Sequence, residues 1–220
     1  MYNATTDIKS IERVGMIIVV AHTKGGVGKS TISWNIAIAL KDRYNIELVD
    51  LDFQQTLTYI NQYRSSKIII RSFINQNDFK RYIGEDNKNK ISIIDVGGFD
   101  SDMNRISLIV ADMIITPLSD SQTEILGLMR FEQILEELGD SIKVDILLNN
   151  INPQKKKLDD LKEYIRGKNN LELFDTILRS RVDYGKALDM GLGVIEYKPS
   201  SKASEELQGL IEEIETKIKG

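Results

Sequence analysis

The sequence predicts an α/β protein with a mostly parallel, doubly wound sheet and helices on both faces. Short apolar, β-branched runs alternate with segments of helical periodicity, and the first run feeds directly into a glycine-rich loop followed by a helix pattern. A third observation agrees. Lys24, Asp50, Asp95, Pro117 and Asn149 each fall at or just after the end of a predicted strand, and in open parallel sheets ligands collect at that edge. The strands are expected at 16–21, 46–49, 67–70, 91–94, 113–116, 144–148 and 176–178.

A chain of 220 residues suits one large domain over 15–220 behind a short extension, 1–14, and can bury roughly 70% of its unfolded surface. With three prolines and no Gly/Ser tract, low-complexity block or repeat, no linker divides it. The lack of cysteine excludes a disulfide framework, a thiolate zinc site and an iron–sulfur cluster, and with them redox chemistry. Residues 1–14 are polar and the apolar run 16–21 is far shorter than a membrane span, so a cytoplasmic protein without a membrane partner is expected. A net charge of −4 argues against a generally cationic surface but allows a local basic patch on an acidic body.

After the first strand comes Thr23-Lys24-Gly25-Gly26-Val27-Gly28-Lys29-Ser30-Thr31. The glycines leave room for backbone N–H groups to point at phosphate oxygens, and the helix over 32–40 turns its positive end to the same anion. Lys29 would reach the terminal phosphates and the Ser30 hydroxyl would sit on magnesium. Thr23 stands where the common phosphate loop has its first glycine, and Lys24 follows it. This K-G-G-x-G-K-S/T pattern resembles the deviant Walker A motif of the ParA/MinD ATPases. The resemblance implies a P-loop fold, ATP/ADP and Mg2+ as cofactors, and a Lys24 that reaches across a nucleotide-sandwich homodimer to the partner's phosphates.

The second strand ends in Asp50-Leu51-Asp52-Phe53-Gln54, similar to the family's D-x-D-P-Q first switch with Phe53 in place of proline. The resemblance assigns Asp52 to the attacking water and puts Asp50 nearer the magnesium shell, both suitable work for carboxylates. The strand over 91–94 runs into Asp95-Val96-Gly97-Gly98, which looks like a Walker B aspartate and a second switch. Asp95 would hold magnesium through water, and Gly98 would let its N–H swing toward the γ-phosphate. Asp100 and Ser101 suit a turn or helix cap as well as a functional role.

Ala111-Asp112 to Pro117 matches the family's A-D-x-x-x-x-P segment beneath the nucleotide. Asn149 falls where members read the adenine edge; an amide both donates and accepts, and Asn150 is equally suited. His22 reads as a packing or hydrogen-bonding residue rather than a base, Trp34 as core, and Lys155-Lys156-Lys157 as a solvated loop in preference to a DNA or partner contact. In the last segment Leu207, Leu210, Ile211, Ile214 and Ile218 form one helical stripe, with glutamates crowding the rest. An acidic face is repelled by anionic lipid, so this helix is expected on the sheet, which counts against the MinD branch.

Arg181 to Ala187 and Gly193 to Glu196 resemble the family's R-x-x-x-x-x-A and G-x-x-V-x-E pattern, so these resemblances span about residues 15 to 215 and imply a partition ATPase. In that reading, ATP closes a dimer, the dimer holds nucleoid DNA without sequence preference, and a ParB-like partner triggers hydrolysis and release. The family places its DNA-facing basic residues late in the chain, here Arg179, Arg181, Lys186, Lys198 and Lys202 by region. Phosphate contacts of that kind give affinity without base readout. Other readings of the same loop are a MinD-like positioning ATPase, a nucleotide-locked scaffold, and a small-molecule kinase or ligase.

Overall fold

Seven parallel strands form one sheet in the order β3-β2-β4-β1-β5-β6-β7. They are β1 (Met16–Val20), β2 (Asn45–Asp50), β3 (Ile70–Arg71), β4 (Lys90–Asp95), β5 (Met113–Leu118), β6 (Val144–Ile151) and β7 (Leu171–Arg179). The structure is a computed structural model that describes residues 15–85, 89–97, 101–139 and 142–219. The extension 1–14, Gly98 and Asp100 lie outside the described residues.

Nine helices are described: α1 (Lys29–Leu40), α2 (Thr56–Gln62), α3 (Gln76–Ile83), α4 (Asp102–Val110), α5 (Gln122–Leu138), α6 (Asp159–Arg166), α7 (Val182–Asp189), α8 (Val194–Tyr197) and α9 (Lys202–Lys219). Strand alternation divides their packing between two cores. In β1, Ile17 and Val19 face one core with Phe79, Leu128, Phe131 and Ile165, while Ile18 and Val20 face the other with Trp34, Ile36, Leu57 and Leu210. Covering both faces is why the central strands read as unbroken apolar runs. Trp34 is fully buried and donates its Nε1–H to the Leu192 carbonyl at 3.0 Å, a core residue as expected.

The first strand lies between β4 and β5, where the winding of the sheet changes direction. Its carboxyl end is therefore the crevice where this architecture leaves room for a ligand. Among the described residues no helix is long and apolar enough to cross a membrane.

Two strands differ from their expected extents. The run 67–70 yields only Ile70–Arg71, because the Asn61 side chain captures the Ile68 backbone from both sides, accepting its N–H at 3.1 Å and donating to its carbonyl at 2.9 Å. Strand β7 is much longer than 176–178. Its polar residues mask the pattern, for it is an edge strand whose free N–H groups are covered by α9: Glu213 accepts from Asp175 and Thr176 at 2.8 Å each, and Glu206 from Arg179 at 2.9 Å. Leu207, Leu210, Ile211 and Ile214 of the α9 stripe are buried and Ile218 is half-buried against the same core, and some of the helix's glutamates close the sheet edge.

Candidate nucleotide-binding site

The loop after β1 needs glycine at two points for different reasons. Gly26 and Gly28 have φ of 79° and 98°, in the left-handed region. At Gly28 a Cβ would also stand 2.6 Å from Asn149 Nδ2, so the backbone of the loop and the end of β6 are in close approach. That amide donates to the Val27 carbonyl at 2.9 Å, which ties the loop to β6. Helix α1 then begins at Lys29 with no side-chain cap and no acidic residue in its first turn. Its leading N–H groups and positive end are left for an anion.

The loop separates two chambers. The larger, about 520 Å³, is lined by Gly25, Gly26, Gly28, Lys29, Ser30 and Thr31 from one side and Asp52, Phe53, Gln54 and Thr56 from the other. The smaller, about 170 Å³, is lined by Val27, Thr31, Ile32, Asn149, Asn150, Arg179, Arg181 and Tyr184. The proportions suit phosphates in the first and a base in the second. A hollow of about 620 Å³ at the other end of the sheet, bordered by Asp112, Lys143, Asp145, Glu172 and Lys217, is larger. It offers no phosphate loop, and Lys217 is already paired with Asp145 and Glu172 at 2.9 and 3.0 Å.

The two lysines of the loop are placed differently. Lys29 is buried with its Nζ 3.1 Å from the Lys24 carbonyl; burial pulls its pKa down while Asp95 and Asp52 oppose that pull. It is a desolvated cation at the base of the phosphate chamber. Lys24 lies half exposed and turns away, donating to Thr123 Oγ1 at 2.9 Å, 3.9 Å from Glu124 Oε1 on the first turn of α5. Its side chain does not line the chamber of its own subunit.

Register brings the carboxylates together: Asp50, Asp95 and Val20 occupy one row across β2, β4 and β1. Asp50 is buried and fully engaged with backbone, its Oδ1 accepting from Asp52 at 3.3 Å and its Oδ2 from Leu57 and Thr58 at 3.1 and 3.3 Å. It caps α2, whose N-cap residue Gln55 has φ 49° and no side-chain bond of its own. This capping ties the segment between β2 and α2 to the sheet. Asp52 accepts from Gln54 N at 3.0 Å at the chamber wall, beside an outward-facing Phe53 that is 79% exposed.

Asp95 is wholly buried. One oxygen accepts from Ser33 Oγ at 3.4 Å, and the other has no hydrogen-bond partner among the described residues. Burial raises its pKa to about 7, with the Ser30 hydroxyl and Lys29 pulling down and Asp50 and Asp52 pushing up. An orphaned carboxylate oxygen beside a serine hydroxyl, next to a phosphate chamber, is a donor set that fits a hard divalent cation. Among the described residues no three His, Cys, Asp or Glu side chains gather to hold a metal unaided. Phosphate oxygens and water would complete the shell.

The Asp95 shift also makes a prediction about the ligand-free protein. Because the folded carboxyl titrates higher than the unfolded one, the unfolded chain loses its proton first as pH rises above about 4, and the fold loses stability until about pH 7. Asp95→Asn removes the buried charge. It is expected to stabilise the fold at pH 8 by up to about 4 kcal/mol, and to have little effect at pH 4. Thermal melts across that range check it; an equal effect at both pH values counts against a proton held by Asp95.

Other expected residues are placed as follows. Asn150 lines the base chamber with φ 56°. Arg179 donates to the Asn152 and Lys155 carbonyls at 3.1 and 2.7 Å, and Arg181 pairs with Glu206 at 2.6 Å. Both arginines also border the base chamber, whereas Lys186, Lys198 and Lys202 are not among its lining. Ser101 caps α4 through the Asn104 N–H at 3.2 Å. The three-lysine stretch 155–157 is exposed, and Lys155 pairs with Asp120.

Sequence reasoning missed Ser33, Thr123 and Tyr184. Ser33 lies one helical turn beyond Ser30 and Lys29, but nothing local marks it or Thr123. Tyr184 joins the lining of the smaller chamber through the β6–β7 register that pairs Ile151 with Arg179.

Comparison with known proteins identifies the family and matches the fold. The profile of the CobQ/CobB/MinD/ParA nucleotide binding domain matches residues 18–195. Among solved structures, a putative plasmid partition protein of Borrelia burgdorferi B31 bound to AMPPNP superposes with TM-score 0.70 at 16% identity, covering 92% of this chain and 99% of that one. An ATP complex of a McdA variant from Cyanothece gives 0.69 at 17% over 92% and 97%. The septum site-determining protein MinD of Pyrococcus horikoshii, complexed with Mg-ADP, gives 0.68 at 14% over 91% and 96%. No curated protein sequence matches.

Proposed function

This chain belongs to the CobQ/CobB/MinD/ParA nucleotide-binding family, and we propose that within it the protein is a partition ATPase whose ATP-bound form is a DNA-holding homodimer. The observation that carries the proposal is the split between the loop lysines. Lys29 serves the chamber of its own subunit, and Lys24, earlier in the same loop, points out of it toward α5. A cation displayed at the mouth of a phosphate site is available to a second copy of that site.

Relatives holding AMPPNP, ATP and Mg-ADP support adenine nucleotide and magnesium as the ligands. Ser30 and Asp95 would hold the ion, which when bound neutralises charge on the phosphates. The chain's own contributions are then distinct. Backbone N–H groups of Gly25 to Thr31 cradle the phosphates, Lys29 meets the terminal ones, and Asp52 orients water at the chamber wall. Asn149 and Asn150 meet the base edge. The second switch would include Gly98.

The proposed DNA face rests on Lys186, Lys198 and Lys202, since the guanidiniums of Arg179 and Arg181 are engaged within the fold. Contacts of lysine with phosphate give affinity without base readout and a steep salt dependence. A ParB-like partner that stimulates hydrolysis would release the complex. A membrane-positioning role is less well supported, because the apolar residues of α9 are already buried in the core.

Light scattering tests the dimer. With magnesium and AMPPNP the protein is expected at twice the mass found with ADP. A monomer under both conditions would remove the dimer from the mechanism and leave the loop as an ordinary nucleotide site.

A further inference from the structure

We propose that His22 is a positioning residue for both loop lysines, acting through one hydrogen bond that its ring accepts. His22 is buried at the end of β1, and its Nδ1 accepts the Lys24 backbone N–H at 2.9 Å. The bond runs from residue i to the amide of i+2, with an acceptor two bonds beyond Cβ, as in an Asx turn. It fixes the peptide between Thr23 and Lys24, at the point where the chain leaves the sheet.

Both lysines depend on that peptide. The Lys24 carbonyl, on the residue so held, receives Lys29 Nζ at 3.1 Å, and the Lys24 side chain leaves from the same Cα to reach Thr123 at 2.9 Å. Helix α5 supplies the seat. Thr23 Oγ1 donates to the Gly127 carbonyl at 2.7 Å, and a Cβ on Gly127 would stand 2.7 Å from His22 Cε1 and 3.3 Å from Lys24 Cβ. A glycine inside a helix costs helical stability, and here it has a packing reason: only a bare backbone lets the imidazole lie against the helix.

The acceptor role requires a neutral ring with its proton on Nε2. Burial first, and then the charge of Lys29, lower the His22 pKa to about 4, so the ring stays an acceptor throughout the neutral range. The residue therefore orients the loop at any physiological pH and does not switch it.

The inference rests on the nucleotide reading of the loop, and it is tested in the full chain by titrating a fluorescent methylanthraniloyl ADP with magnesium. Asn places its Oδ1 where Nδ1 stands, whereas Gln carries its oxygen one bond farther out. His22→Asn is expected to bind within about threefold of wild type, while His22→Gln and His22→Leu lose about tenfold, the scale of one buried donor left without its acceptor. Gly127→Ala, which pushes the ring aside from the opposite element, is expected to match His22→Leu, and His22→Asn in that background to recover most of the loss, since the 2.7 Å contact at Cε1 is gone and only the 3.3 Å contact to Lys24 Cβ remains.

Equal affinity for the Asn and Gln variants would overturn the proposal, as would a double variant no better than Gly127→Ala. The Asn and Gln pair decides it even where the Leu variant fails to fold. Failure of wild type to bind the probe would instead reject the nucleotide reading itself.

Discussion

Lys24→Ala is expected to leave the monomer's affinity for ADP within about threefold of wild type and to weaken the ATP-dependent dimer by at least about 30-fold. The first expectation follows from where the side chain lies. It is absent from the lining of its own chamber, and its contacts to Thr123 and Glu124 are half exposed, worth at most about 1 kcal/mol to the fold. The second follows from the charge it would bring to a partner's phosphates. Removing one member of a charge pair at a desolvated interface typically costs about 2–5 kcal/mol, and the lower end of that range is the fold-change stated. Light scattering with AMPPNP, paired with an ADP titration, separates the two effects. Equal dimerisation by mutant and wild type would exclude the cross-subunit role; equal loss of ADP binding would place Lys24 in its own site.

Asp52→Ala is expected to slow ATP turnover by at least about 100-fold while the ATP-bound form accumulates. A group that positions or deprotonates the nucleophile contributes about 10²–10⁴-fold. Asp52 stands at the wall of the phosphate chamber with one oxygen held by the Gln54 N–H, so its direction is set before nucleotide arrives. The loss of that turn contact is small beside the capping by Asp50, which secures the start of α2 independently. Single-turnover phosphate release measures the chemical step. Normal release by the variant would remove Asp52 from the mechanism and direct attention to groups in the second switch.

The parts of this site legible in the sequence are those fixed by short-range chemistry. The glycines, Lys29 and Ser30 are adjacent in the chain, and the strand-to-helix transition around them sets their geometry. Asp95 is legible because a β-strand carries its last residue to the ligand edge regardless of what neighbours it. The direction of Lys24 is not, since it depends on Thr123 and Glu124 about a hundred residues away. Nor is the engagement of Asp50 with α2, for a strand-end aspartate looks the same whether it faces a cation or three backbone N–H groups. Tyr184 and the two arginines reach the base chamber only through strand register. The edge strand β7 is hidden for a related reason: polar residues interrupt its apolar ones, because glutamates of α9 cover its outer N–H groups while Phe174 and Leu178 pack into the core.

These distinctions bear on how the switch would work. The segment after β2 is moored at Asp50 and exposes Phe53, so if it acts as the proposed first switch its movement would pivot about the start of α2. The phosphate loop is moored at both ends, by His22 at its start and by Asn149 near its close. A rigid loop with a hinged neighbour is a suitable arrangement for reading the γ-phosphate.

In the proposed cycle the ATP state, and not the ADP state, holds DNA. A gel-shift salt series on two unrelated duplexes, each with AMPPNP and with ADP, tests it most directly. Both duplexes are expected to be retained with AMPPNP at low salt, with affinity falling steeply as salt rises and weakening on substitution of Lys186, Lys198 and Lys202 by alanine. Equal retention with ADP, or none with AMPPNP at low salt, would contradict it.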